Sequence, residues 1–134
     1  MKIHHIGYLV EDVECAAEEF TRLGFARTSD VERDLQRDVF ILFLRHCDGY
    51  VVELIQPVSD ASPYYGLRKK YRNAPYHFCY VVDDLQREIE KMTSPGSGNV
   101  LLQPPQPAPA IPGCPNVAFL MNRYIGMVEL LEET

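Results

Sequence analysis

No stretch of this chain approaches the roughly 20 consecutive apolar residues that a membrane-crossing helix needs, and its longest apolar run is Val39 to Leu44. The first residues, Met1-Lys2-Ile3-His4-His5, hold no apolar signal segment, so a cytoplasmic protein with no membrane partner is expected. Bases are scarce: 13 Lys and Arg stand against 19 Asp and Glu, a formal net charge of -6, with no long basic stripe. Such a surface does not neutralise a phosphate backbone, and nucleic acid is excluded as an expected partner. The four cysteines, Cys15, Cys47, Cys79 and Cys114, are far apart and form no CxxC, so neither a zinc knuckle nor a redox pair is written locally. They read as reduced thiols.

What is present is an ordinary globular composition, 46% hydrophobic and 24% charged, which permits a real core. A length of 134 residues fits one domain. Within it lies an internal repeat. His5-Ile6-Gly7-Tyr8-Leu9-Val10-Glu11-Asp12-Val13 returns 72 residues later as His77-Phe78-Cys79-Tyr80-Val81-Val82-Asp83-Asp84-Leu85, and Val52-Glu53-Leu54-Ile55 returns after 76 as Val128-Glu129-Leu130-Leu131. One loop insertion in the second half accounts for the changed offset. The chain therefore divides into module one (1–57), a linker helix (58–72) and module two (73–134), all in a single domain spanning 1–134.

Each module reads as a strand, a helix and two or three further strands. Ile3 to Val10 is a β-rich run that stops at Asp12, a helix cap. Val13, Ala16, Ala17, Phe20 and Leu23 then form one apolar stripe that Gly24 closes. Asp84 followed by Leu85, Ile89 and Met92 repeats the pattern more sparsely. Val39 to Leu44 and Tyr50 to Ile55 flank an Asp48-Gly49 turn, and Val117 to Met121 and Met127 to Leu131 flank Gly126. A third strand is expected near Ala26 to Val31 and near Val100 to Leu102. Ser62-Pro63 should cap and start a short helix, Tyr64 to Tyr71, carrying the basic cluster Arg68, Lys69, Lys70 and Arg72. Gln103 to Pro115 holds six prolines and reads as an extended, stiff loop.

The repeat pairs His5 with Glu53 and His77 with Glu129. Packing of the halves about a pseudo-twofold axis would bring the four to one point. A lone histidine at a strand start is more often structural than a ligand, and both glutamates on a solvated face is the bland alternative. Glutamate in the middle of an apolar strand, twice, at matching places, is hard to obtain that way, because a carboxylate facing a core is costly unless paired or metal-bound. Imidazole and carboxylate without thiolate suit Ni(II), Co(II), Zn(II), Fe(II) or Mn(II).

On these segments, together with Val52-Glu53-Leu54-Ile55-Gln56-Pro57 and Gly126-Met127-Val128-Glu129-Leu130, the whole chain resembles the vicinal oxygen chelate superfamily. Within it the resemblance is greatest to glyoxalase I (lactoylglutathione lyase) and methylmalonyl-CoA epimerase. The resemblance implies an α+β fold in which two paired βαβββ modules form a cupped mixed β-sheet, usually in a homodimer. It implies a divalent metal ion, Ni, Co or Zn, held by His5, Glu53, His77 and Glu129. The implied chemistry is proton abstraction beside a carbonyl through a metal-stabilised enediolate, with Glu129 as leading base and Glu53 as ligand or partner base.

The implied partner is a small thiol adduct or an acyl-CoA. Glyoxalase-type isomerisation of a hemithioacetal ranks ahead of epimerisation, because Val39 to Leu44 has no carboxylate to serve as a second base. Two rivals remain: a non-catalytic drug-binding resistance protein of the same superfamily, against which the four ligands argue, and an iron dioxygenase, which Glu53 disfavours by filling an oxygen position. The basic cluster is able to meet glutathione carboxylates or CoA phosphates, or is simply solvated. Phe43, Tyr65, Phe78 and Tyr80 line the cup or fill the core.

Overall fold

A computed structural model describes residues 1 to 134. It contains nine strands and three helices, an α+β arrangement with mixed sheet pairing. Two compact units are present, one formed by residues 5–76 and the other by residues 77–134 with 1–4.

In the first unit, β1 (Lys2–Leu9) leads to α1 (Val13–Arg22), β2 (Phe25–Arg27), β3 (Glu32–Asp34), β4 (Val39–His46), β5 (Val51–Pro57) and α2 (Tyr65–Tyr71). β5 is the centre: it pairs parallel with β1, placing Gly7 beside Glu53, and antiparallel with β4, placing Phe43 on the other side of Glu53. β2 and β3 both add to β4.

The helix α1 forms where the stripe predicts. Its Val13 and Ala17 are buried, and Cys15 donates its backbone N–H to the Asp12 carboxylate at 2.9 Å. That hydrogen bond holds the Asp12 carboxyl below the ordinary carboxylate range. At the other end Gly24 has φ +98, and a Cβ there would lie 2.9 Å from His46 Nε2, so both backbone sign and space require glycine. The Asp48-Gly49 turn forms as expected, with His46 N–H donating to the Tyr50 carbonyl at 2.7 Å.

The second unit repeats this plan with β6 (Ala74–Val82), α3 (Leu85–Met92), β7 (Asn99–Pro107), β8 (Asn116–Asn122) and β9 (Gly126–Glu132). β9 pairs parallel with β6 and antiparallel with β8. The duplication extends to the packing. In the first unit Val10, Val13, Ala17, Leu42, Leu44, Val52 and Leu54 form the buried cluster under α1. In the second, Val82, Leu85, Ile89, Ala118, Leu120, Val128 and Leu130 form the cluster under α3. Each member matches its counterpart at the offset of 72 or 76. Polar ties repeat too: the N–H of Val13 donates to Gln56 Oε1 at 2.8 Å, and that of Leu85 to Glu132 Oε1 at 3.3 Å.

Three local readings of the sequence change. The strand expected near Ala26 to Val31 forms only as β2 and ends where the Phe43 N–H donates to the Ser29 hydroxyl at 3.2 Å; β3 begins beyond it at Glu32. The proline-rich segment is not loop throughout: β7 runs to Pro107 as the edge of its sheet, with register shifts between Leu101 and Gln103 and between Gln103 and Gln106. Proline has no N–H to donate, and an edge strand with bulges tolerates it. Ser62 does not cap α2 through its side chain. Its hydroxyl donates to the Arg37 carbonyl at 2.9 Å and accepts the Tyr64 N–H at 3.3 Å, so it fastens the approach to the helix, whose cap position is Tyr64.

Because Leu54 and Leu130 are equivalent and both 0% exposed, Leu54→Ala and Leu130→Ala should each cost about 2–5 kcal/mol in urea unfolding. A change smaller than about 1 kcal/mol at either would contradict the duplicated core. The Asp12 cap carries a pH signature. With its carboxyl held below the ordinary value, its contribution is full above the usual carboxylate range and is lost as pH falls through the depressed value. Amide exchange in the first turn of α1 should accelerate over that acid window, and Asp12→Asn should remove the dependence.

Candidate functional site

The face of β4 and β5 turned away from α1 carries the polar groups. Strand alternation sends Val52 and Leu54 to the helix side and Glu53 to the opposite one, where it is only 6% exposed. His5 lies two residues before Gly7, the parallel neighbour of Glu53, and its Nε2 stands 3.5 Å from Glu53 Oε1. The Phe43 ring meets the imidazole edge-on, with centroids 5.5 Å apart at 84°.

The second unit builds the same pair from β6, β8 and β9. Glu129, 5% exposed, stands between Cys79 on β6 and Phe119 on β8. His77 Nε2 is 3.3 Å from Glu129 Oε1, and Phe119 meets the His77 ring edge-on at 5.1 Å and 88°. Gly7 and Cys79, both small, occupy the equivalent place beside each glutamate.

All four predicted site residues are therefore buried, and each half pairs its own histidine with its own glutamate. The adjacent His4 is half-buried, in keeping with the opposite faces that alternation assigns to His4 and His5. Missing from the sequence reading is the matched aromatic wall. Phe119 is the counterpart of Phe43 at the offset of 76, so the repeat itself was the signal that would have found it.

The donor set fits a divalent cation. Two donors each about 2.1 Å from one ion stand roughly 3.4 Å apart in a tetrahedron and roughly 3.0 Å apart at a right angle. The separations of 3.5 and 3.3 Å lie near the first value, beyond the 2.7–2.9 Å of a charge-assisted hydrogen bond.

Two other groups of ionisable side chains are already engaged. The remaining buried carboxylate, Asp34, contacts the Arg37 guanidinium at 2.8 Å and accepts the Arg37 N–H at 2.8 Å. His46, Cys47 and Asp48 bring donor atoms within 4.8 Å of one another. There, however, the His46 ring serves the turn: Nε2 faces the Leu23 carbonyl at 3.0 Å and Nδ1 accepts the Asp48 N–H at 3.1 Å. Asp34 apart, Glu53 and Glu129 are the buried carboxylates of the chain.

The sequence profile described as the Glyoxalase/Bleomycin resistance protein/Dioxygenase superfamily matches residues 4–111. No curated protein matches the chain significantly. Among solved structures, a hypothetical protein of Bacillus halodurans is 22% identical with a TM-score of 0.84, covering 99% of this chain and 94% of its own. Methylmalonyl-CoA epimerase from Mycobacterium tuberculosis is 18% identical with a TM-score of 0.81, covering 98% of this chain and 87% of its own. A variant of Streptomyces coelicolor methylmalonyl-CoA epimerase in complex with 2-nitronate-propionyl-CoA is 18% identical with a TM-score of 0.82, covering 100% and 98%.

Two buried His–Glu pairs kept for chemistry should not be needed for folding. Replacing both His77 and Glu129 by leucine should leave the metal-free chain as stable as before, or more stable by up to about 1–4 kcal/mol. Strong destabilisation of this double variant in a urea melt would mark the pair as structural.

Proposed function

Because the chain belongs to the glyoxalase/bleomycin resistance/dioxygenase superfamily, we propose that it is a divalent-metal-dependent catalyst of proton transfer at a carbon beside a thioester carbonyl, with an acyl-CoA of the methylmalonyl type as substrate. The sequence alone ranks hemithioacetal isomerisation first. Two considerations reverse that order. Structural neighbours include methylmalonyl-CoA epimerases, one in complex with a CoA thioester. And although β4 (Val39–His46) offers no carboxylate, two buried ones, Glu53 and Glu129, stand on β5 and β9, each beside an imidazole. The observation that carries the proposal is the pair of equivalent, buried His–Glu contacts at 3.5 and 3.3 Å.

In this reading His5, Glu53, His77 and Glu129 together are the ligand set of one divalent cation, Ni(II), Co(II) or Zn(II). The cation, when bound, supplies Lewis-acid stabilisation of the charge that develops on the substrate's carbonyl oxygen. The protein's groups do the rest. Glu129 removes the proton from the carbon beside the carbonyl through a carboxylate oxygen. Inversion needs an acid on the other face to return a proton, and Glu53 is the group available. Phe43 and Phe119 hold the imidazole rings edge-on and keep water from them, which fixes donor direction and strengthens each polar contact. A homodimer belongs to this proposal.

The second reading is glyoxalase I-type isomerisation of a 2-oxoaldehyde–thiol hemithioacetal. The absence of a carboxylate from β4 favours it, since a single base can shuttle a proton between adjacent carbons.

A parallel assay of methylmalonyl-CoA epimerisation and hemithioacetal isomerisation, after loading with Ni(II), Co(II) or Zn(II), separates the two. The expected outcome is epimerisation, one metal per chain, and loss of activity on chelation. Absence of stoichiometric metal together with no restoration by any of the three ions would end the enzyme reading and leave a binding protein. Glu129→Gln should lower kcat by at least about 100-fold while part of the metal affinity survives. His77→Ala should instead lose metal, as read by calorimetric titration.

A further inference from the structure

The basic residues on and just after α2 are not used by the chemistry above, and local electrostatics does not account for them. Arg68, Lys69, Lys70 and Arg72 crowd into five positions of a chain whose net charge is -6. Residues 61–82 contain no aspartate or glutamate, and none of the four cations makes an ion pair. Arg68, Lys69 and Lys70 are consecutive in the last turn of α2, and Arg72 follows at the C-cap with φ 58. The helix dipole favours a cation in the last turn, but it does not call for three there and a fourth at the cap.

Two tyrosines sit among these cations. The Arg68 guanidinium lies 5.4 Å from the Tyr65 ring centroid, and Lys70 Nζ lies 5.2 Å from that of Tyr71. Tyr71 is 51% exposed, and Lys69, Lys70 and Arg72 are exposed. The Nε of Arg68 has no acceptor within the protein. A cluster of cations without carboxylate partners beside a half-exposed aromatic ring matches a ligand carrying several phosphates and a flat heteroaromatic base. Cations suit the phosphate oxygens, and the ring face suits the base. Glutathione would bring carboxylates but no such base.

We infer that α2 and the residues up to Arg72 form the docking surface for the 3′-phosphoadenosine diphosphate end of an acyl-CoA, an assignment that rests on the acyl-CoA reading above. The surface acts at the substrate's handle, far in covalent terms from the carbon that exchanges its proton. It therefore sets substrate affinity and the choice of CoA over smaller thiols.

The test uses the full chain and the free nucleotide, 3′-phosphoadenosine 5′-diphosphate, titrated calorimetrically into the unaltered protein and into the K69A/K70A/R72A variant. All three side chains are exposed, so the variant should fold, and an unchanged thermal melt checks this. The unaltered protein should bind the nucleotide, and the variant should bind it about tenfold more weakly or worse. Tyr71→Ala should weaken the nucleotide but not inorganic pyrophosphate. In turnover, the loss should fall on KM for the acyl-CoA, whereas KM for the corresponding acyl-pantetheine, which lacks the nucleotide, should not change.

Equal nucleotide affinity in protein and variant would overturn the inference. So would pyrophosphate binding as tightly as the nucleotide, or a loss confined to glutathione. Nucleotide binding that depends on α2 without turnover of any acyl-CoA would sustain the docking surface and sink the proposed reaction. Turnover of acyl-CoA with unchanged KM in the variant would do the reverse.

Discussion

A carboxylate buried in an apolar strand is the costliest feature of this fold, and the chain carries it twice. Glu53 and Glu129 are flanked in sequence by valine and leucine and are almost wholly withdrawn from water. Such a group is tolerated only with a partner of opposite or complementary character. Each has an imidazole at 3.3 to 3.5 Å, and each imidazole is held edge-on by a phenylalanine. The rest of each unit can be understood as a means of keeping that pair in place. A central strand carries the glutamate, a parallel strand carries the histidine, and an antiparallel strand carries the ring.

Alternation lets one strand serve two purposes. Val52 and Leu54 pack under α1 while Glu53 faces the other way, and Val128 and Leu130 do the same under α3 around Glu129. Both faces are buried: Leu9, Val39, Ile41 and Ile55 lie on the same side of the sheet as Glu53 and are themselves almost wholly withdrawn from water. The face with the His–Glu pairs holds polar groups within an apolar surround, and the cluster under each helix adds its own burial. The same division explains why the two units differ most at their edges. β7 accommodates prolines through register shifts, whereas the equivalent region of the first unit is split into β2 and β3.

The chemistry suggested by the donors is confined by what the other carboxylates do. Asp34 is held by Arg37, and most of the remaining acids are exposed. That leaves Glu53 and Glu129 as the buried carboxylates on which the proposed proton transfer rests. Membership in the superfamily is compatible with several reactions, since a fold hosts many chemistries, and the choice among them rests on the site and on what binds beside it.

The repeat, the helices and the placement of His5, Glu53, His77 and Glu129 on strands were all legible in the amino-acid order. These depend on period-two and period-3.6 patterning and on caps such as Asp12 and Asp84, which act over a few residues. Strand partners were not legible. That Phe43 stands across from Glu53 and Phe119 across from Glu129 is a matter of register between strands separated by a turn, and a shift of one residue would have exchanged their faces. The fate of the prolines, the diversion of Ser62 to the Arg37 carbonyl and the engagement of Asp34 were likewise decided by tertiary structure. Each depends on which distant group is available once the sheet has formed. Short-range sequence rules describe the conformation of a segment, but hydrogen-bond partners are assigned by whatever the fold brings within reach.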